Sequence, residues 1–215
     1  MADQKVILAY GDSLTYGHDA ENQGRHAFAD RWPSALEAGL GGKARVIPEG
    51  LGGRTTAFDD WSAAADRNGA TVLPTLLSSH TPFDLVILFL GTNDLKPFVN
   101  GSALGAAHGM RRLVEIVKTH PYAFEAPAPK VIIVSPPHVI PTTHAELAPM
   151  FEGAIEVSRT FADHYSRAAK DLGVYFFDSA KVATATPIDG IHLDAKNTRA
   201  IGEALVPQVK QVLGL

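Results

Sequence analysis

Five short stretches of almost unbroken apolar residues punctuate the chain: Lys5–Tyr10 (KVILAY), Ala44–Pro48 (ARVIP), Asp84–Leu90 (DLVILFL), Lys130–Ser135 (KVIIVS) and Val174–Phe177 (VYFF). Each has strand length, is rich in Val and Ile, and lacks polar alternation, the pattern of strands covered on both faces. Between them, apolar positions recur at helical spacing. Pro33 suits the first turn of a helix ending near Leu40, where Gly41-Gly42 stops it. Ser102 caps a predicted helix reaching about His120, with Leu104, Met110, Leu113 and Val117 on its core face. A long amphipathic segment runs from about Glu146 to Leu172, and a last helix from Ala195 to about Leu213. This alternation predicts an α/β fold: a flavodoxin-like three-layer α/β/α sandwich around a central five-stranded parallel sheet, with residues 1–215 forming one domain. Ligands in such sheets bind beyond the carboxyl ends of the strands. Two connections, roughly Gly17–Arg31 and Arg54–Val72, are long for a compact domain, as functional covers and contact surfaces are.

Composition narrows the class. The 215 residues are 46% apolar and 20% charged, the balance of an ordinary globular chain. There is no cysteine, which excludes a disulfide scaffold, a cysteine-ligated metal and a thiol nucleophile. With 19 basic against 23 acidic residues the net charge is −4, and no basic cluster stands out, so nucleic acid is not an expected partner. Every apolar run is strand-sized, too short to span a membrane. Lys5–Tyr10 is also too short for the apolar region of a signal peptide and lacks a small-residue cleavage site, so a cytoplasmic location is expected.

The chemistry-bearing residues follow the strands. Behind the first comes Gly11-Asp12-Ser13-Leu14, which places a hydroxyl on a tight strand-to-helix turn. A capping serine would look the same. Behind the second, Glu49–Thr56 (EGLGGRTT) holds glycines whose N–H groups can approach a ligand oxygen, or form a plain turn. Behind the third, Gly91-Thr92-Asn93-Asp94 offers a neutral amide donor, or an Asn/Asp turn. Behind the fifth, Asp189-Gly190-Ile191-His192 pairs a carboxylate with an imidazole, or a helix-start acid with a surface histidine. Singly each is ambiguous. Jointly they supply a nucleophile, candidate donors and a base with its orienting acid. A string such as G-D-S-L arises by chance in a chain of this length on the order of one time in a thousand.

With these blocks in this order, the sequence resembles the SGNH hydrolases of GDSL type. Glu49–Thr56, Leu90–Lys96 (LGTNDLK), Val134–Pro137 (VSPP) and Phe151–Gly153 (FEG) further resemble the arylesterase and acyltransferase branch. Many relatives carry Ser or Ala where this chain has Gly52 or Gly53. The resemblance implies that Ser13 is the nucleophile, His192 the general base and Asp189 its orienting acid. It assigns the oxyanion hole to the N–H groups of Ser13 and Gly53 and the amide of Asn93, and substrate contacts to Leu14, Thr92, Phe151 and Ile191. It implies hydrolysis of short-chain carboxylic and aryl esters through an acyl-enzyme, with acyl transfer to alcohols or perhydrolysis in competition. No cofactor or metal is implied, and no membrane partner. A homo-oligomer built from dimers, the octamer being one form, is expected. Two rival enzyme readings keep the machinery and change the substrate: a carbohydrate acetyl esterase, or a lysophospholipase or thioesterase. A flavodoxin-like binding module is the non-enzymatic rival, disfavoured because Gly11–Gly17 is not G-x-G-x-x-G. Metal-dependent hydrolysis through His138 and His144 matches no common ligand spacing.

Overall fold

The computed structural model describes residues 4–215. Five parallel strands form the central sheet: β1 (Lys5–Gly11), β2 (Ala44–Gly50), β3 (Leu85–Phe89), β4 (Lys130–Ser135) and β5 (Tyr175–Asp178). Their spatial order is β2-β1-β3-β4-β5. β1 pairs with β2 from Lys5↔Ala44 to Gly11↔Gly50, and with β3 from Ile7↔Leu85 to Gly11↔Phe89. The strand order reverses at β1, so the crevice between the carboxyl ends of β1 and β3 is the topological switch point, where such sheets bind ligands. The expected fold class is the observed one.

Helices cover both faces, as the doubly apolar strands require. Alternate strand residues Leu8, Tyr10, Val86, Leu88 and Ile133 pack on one side against α3 (Gly69–His80), α4 (Ala103–Thr119) and α7 (Phe161–Leu172). The intervening residues Ile7, Ala9, Ile87, Phe89, Ile132 and Val134 pack on the other against α2 (Trp32–Gly39) and α8 (Ala195–Leu213). Both α2 and α8 start where expected, α2 with Pro33 in its first turn and α8 with Asp194 accepting from the Asn197 N–H.

Three elements differ from the sequence expectation. The segment expected to be one long amphipathic stretch breaks into α5 (Leu147–Met150), α6 (Ala154–Ser158) and α7, because Gly153 takes φ 77° and cannot continue a right-handed helix. The connection placed at Arg54–Val72 ends early: α3 begins at Gly69, with the Asn68 side chain accepting from the Ala70 N–H. Leu104, expected on the core face of α4, is 53% exposed; Ala103, Ala106 and Ala107 take that face in the first turns. The other long connection holds a two-residue ribbon, His18–Asp19 against Gly24–Arg25. Among the described residues, no helix is long and apolar enough to cross a membrane.

Candidate active site

Strand β1 ends at Gly11, and the chain turns at once into the single-turn helix α1 (Ser13–Tyr16). Asp12 caps that turn, its Oδ1 accepting from the Leu14 N–H at 2.9 Å. Gly17 closes it in the left-handed region at φ 85°. The turn is braced from beneath: a Cβ on Gly11 would stand 2.0 Å from Thr15 Oγ1, and that hydroxyl accepts from Trp32 Nε1 at 3.1 Å. Ser13 is thereby held at the crevice.

From 179 residues away, the loop before α8 brings an imidazole to this hydroxyl. His192 Nε2 lies 2.9 Å from Ser13 Oγ, and His192 Nδ1 lies 2.5 Å from Asp189 Oδ2. The remaining oxygen of Asp189 accepts from the N–H groups of Ile191 and His192 at 3.0 and 2.9 Å. Burial alone would raise the Asp189 pKa. The hydrogen bond and charge of His192 and these two amides outweigh it and hold the pKa at about 2. Asp189 is thus an anion fixed on one ring nitrogen, leaving the other facing the serine.

Asn93 arrives on a short 3-10 turn after β3 and is 6% exposed. Its Nδ2 donates to the Arg54 carbonyl at 3.1 Å and, more weakly, to Asp12 Oδ2 at 3.4 Å, and the residue lines the cleft. Gly53 takes φ 82°, a conformation that suits glycine, and Arg67 closes against it: a Cβ there would meet Nε at 2.4 Å. Ser13, Gly52, Gly53, Asn93 and His192 share one cleft of about 210 Å³. Leu147, Met150, Phe151 and Ile191 supply its apolar wall. Phe151 and Ile191 also border an adjoining hollow lined by Val139, Ile140 and Ile155.

Of the four expected substrate contacts, Phe151 and Ile191 therefore line the cleft. Leu14 does not; it is buried in the apolar layer beneath α2 and α8, because a one-turn helix that presents Ser13 outward sends the next side chain inward. Thr92 is also buried and absent from the lining, and its Oγ1 has no hydrogen-bond partner among the described residues. Three polar residues unforeseen from the sequence do line the cleft: His18, Arg67 and Lys96. His18 packs against His192 with ring centroids 4.2 Å apart and planes tilted by 52°, and burial and the neighbouring imidazole lower its pKa. His18 and Lys96 stand five and three positions after Ser13 and Asn93, close enough to have been suspected. Arg67 carries no such signal.

Two carboxylates lie beneath the site. Asp12 is 1% exposed, and burial raises its pKa to about 6 against the Leu14 amide. Asp94 is fully buried and raised to about 7 by burial, although it accepts from both the N–H and the hydroxyl of Thr56. It anchors the segment after β2 to the turn after β3. Metal-ligand spacing occurs at His18, Asp189 and His192, whose donor atoms lie within 4.8 Å. Both His192 nitrogens are already engaged by Asp189 and Ser13, so the set is arranged as a hydrogen-bonded chain rather than a cage. His144 caps a turn instead, its Nδ1 accepting from the N–H groups of Glu146 and Leu147.

The comparisons agree with this architecture. Residues 9–199 match the model of the GDSL-like lipase/acylhydrolase family. A carbohydrate acetylesterase family member from Sinorhizobium meliloti shares 52% identity, covering 99% of this chain and 100% of that one, with a TM-score of 0.97. The M. smegmatis aryl esterase shares 41% identity over 97% of this chain and 100% of its own, with a TM-score of 0.92. A further carbohydrate acetylesterase from S. meliloti is 36% identical over 97% of this chain and 100% of that one, also at 0.92. Among curated proteins no match was found. A serine on the tight turn after β1, the Gly, Asn and Asp/His blocks at one switch point, and full-length likeness to esterases place this chain in the GDSL-like lipase/acylhydrolase family, as a carboxylic ester hydrolase.

Proposed function

We propose that the protein is a serine esterase acting on short-chain carboxylic and aryl esters through an acyl-enzyme. The observation that carries this reading is the continuous contact from Ser13 Oγ through His192 to Asp189, at 2.9 and 2.5 Å. A serine hydroxyl is a poor nucleophile until a base removes its proton. Here His192 Nε2 takes that proton as Ser13 Oγ bonds to the ester carbonyl carbon. The new oxyanion accepts hydrogen bonds from the Ser13 and Gly53 N–H groups and the Asn93 amide, donors worth ~2.7–4 kcal/mol each in the transition state. Asp189 stabilises the imidazolium, which then protonates the departing alkoxide. Water enters, gives a proton to His192 as its oxygen bonds to the acyl carbon, and the imidazolium then returns that proton to Ser13 Oγ as the acyl C–Oγ bond breaks, releasing the carboxylic acid and the free serine.

An alcohol or hydrogen peroxide in place of that water yields an ester or a peracid by the same steps. The apolar wall of Leu147, Met150, Phe151 and Ile191 supports such competition, because it favours organic acceptors over water. The names of two relatives favour acetylated carbohydrate as the second substrate reading. A burst experiment with 4-nitrophenyl acetate tests the proposal. Wild type is expected to release a stoichiometric burst, and Ser13→Ala and His192→Ala none. Added primary alcohol should divert acyl groups into ester; an unchanged product ratio would refute acyl transfer. Strong preference for acyl chains well beyond butyryl would refute the short-chain assignment.

We also propose that the chain self-associates. Trp61, in the long connection after β2, is 91% exposed and Phe98 62%, large apolar side chains that a second copy would cover. Sedimentation of the wild type should give a multiple of the 22.9 kDa chain mass, reduced in Trp61→Ser. A monomer at micromolar concentration would refute it.

A further inference from the structure

Two cations face the cleft beside Ser13, and ester hydrolysis by Ser13, His192 and Asp189 makes no use of either. Lys96 and Arg67 both line it. The Lys96 side chain is only 6% exposed, and a cation placed so deeply is costly unless it is paired. Its partner is Asp60, whose Oδ2 lies 3.7 Å from Nζ, longer than a charge-assisted hydrogen bond. That same oxygen accepts from Arg67 Nη1 at 2.8 Å, while Oδ1 accepts from the N–H and hydroxyl of Ser62. One carboxylate thus serves two cations, and Arg67 has the closer hold.

The placement of the charges matters as much as their number. Asp60, with a side chain 1% exposed, borders a separate hollow shared with Arg67 and is not part of the cleft lining. The rings of Phe151 and Phe98, 5.8 and 5.9 Å from Lys96 Nζ, offer it π-faces but no acceptor. Asp189 is engaged with His192, and Asp12, whose charge also acts on Lys96, is buried under the serine turn and does not line the cleft. The wall beyond the oxyanion donors Gly53 and Asn93 therefore presents positive charge while its counter-charge lies out of reach. A ligand anion would complete the coordination of Lys96, whose side chain is itself largely removed from water, where such a contact is strengthened.

We propose that Lys96 and Arg67 form an anion subsite, and that the preferred ester carries a carboxylate on its acyl or its alcohol part. This rests on the esterase reading of Ser13 and extends it to substrate class. The anion takes no part in bond making or breaking; it holds the scissile carbonyl beside Ser13 Oγ.

Two matched ester pairs test the inference: 3-acetoxybenzoate against 3-acetoxybenzamide for the alcohol side, and ethyl hydrogen succinate against ethyl succinamate for the acyl side. Wild type should favour the anionic member of one pair by about tenfold or more in kcat/KM, as a charge-assisted contact allows. The preference should shrink with added salt, fall toward parity in Lys96→Met and persist in Lys96→Arg. Equal kcat/KM within both pairs for wild type would overturn the subsite while leaving the esterase standing. So would an anion preference that Lys96→Met retains. No turnover of these esters or of 4-nitrophenyl acetate would overturn the esterase reading itself. Should Lys96→Met fail to fold, the wild-type ratios and their salt dependence decide the matter alone.

Discussion

In the proposed reaction Asp189 acts by fixing which nitrogen of His192 carries a proton. Its Oδ2 accepts from Nδ1, so Nε2 faces Ser13 Oγ as an acceptor. In Asp189→Asn the side-chain oxygen can still accept from the Ile191 and His192 amides. The amide nitrogen then faces Nδ1 and donates to it, which moves the ring proton to Nε2 and removes the base. The expected loss in kcat is on the order of 10⁴-fold. Circular dichroism should remain that of the wild type. A loss smaller than tenfold would show that His192 is oriented by something other than this carboxylate. Asn93 is a parallel case at the opposite edge of the site. Asn93→Ala removes one of the proposed oxyanion donors, and stopped assays with an aryl acetate should show about 10²–10³-fold lower kcat with KM little moved.

At the scale of elements, glycines set how closely the helices approach. On α8, a Cβ at Gly202 would stand 2.3 Å from the Trp32 carbonyl oxygen on α2. Gly202→Ala must push two packed helices apart and should cost about 1–3 kcal/mol in urea unfolding. On α4, a Cβ at Gly109 would stand 1.9 Å from Thr56 Oγ1, the hydroxyl that donates to Asp94. Gly109→Ala therefore strains the anchor between the Gly block and the Asn93 turn, and should lower kcat as well as stability. Equal kcat in Gly109→Ala and wild type would mean that the anchor does not position the site. The strands and outer helices were legible in the sequence because burial on both faces leaves continuous apolar runs and burial on one leaves a helical period. The Ser, Gly, Asn and Asp/His blocks were legible because the switch point forces them to follow strands. What lay hidden depended on local backbone geometry or long-range contact. Gly153 breaks the 146–172 segment through one positive φ, and α3 hides its start in Gly69 and Ala70. Leu14 looked like a substrate contact until the hand of a single helical turn sent it inward. Arg67 reaches the cleft only because its loop folds back on Gly53.

For the whole molecule, buried carboxylates of two kinds set how stability responds to pH. Asp60 and Asp189 are held at about 2; burial opposes this, but Ser62 and Arg67 for the first, and His192 for the second, prevail. Their folded-state pKa lies below that of an unfolded aspartate. Their contribution is therefore present above about pH 4 and lost as the pH falls toward 2. Asp12 and Asp94 are the reverse, raised by burial to about 6 and about 7. The native state binds their protons more tightly than the unfolded chain does. Their contribution is complete below about pH 4 and is lost as the pH climbs through 6 and 7. Between these limits the four groups together favour mildly acidic solution. His18 works in the opposite sense, since its lowered pKa makes charging it costly as the pH falls below the ordinary histidine range. Asp94 can be isolated from the others by substitution. Asp94→Asn keeps an acceptor for the Thr56 N–H and hydroxyl but cannot ionise. Its melting temperature relative to wild type should rise between about pH 5 and pH 7 and level off above, because over that range the wild-type native state holds a proton that its unfolded chain has released. A difference that stayed flat across that interval would mean that Asp94 is already ionised at pH 5. The Thr56 contacts, rather than burial, would then govern its proton.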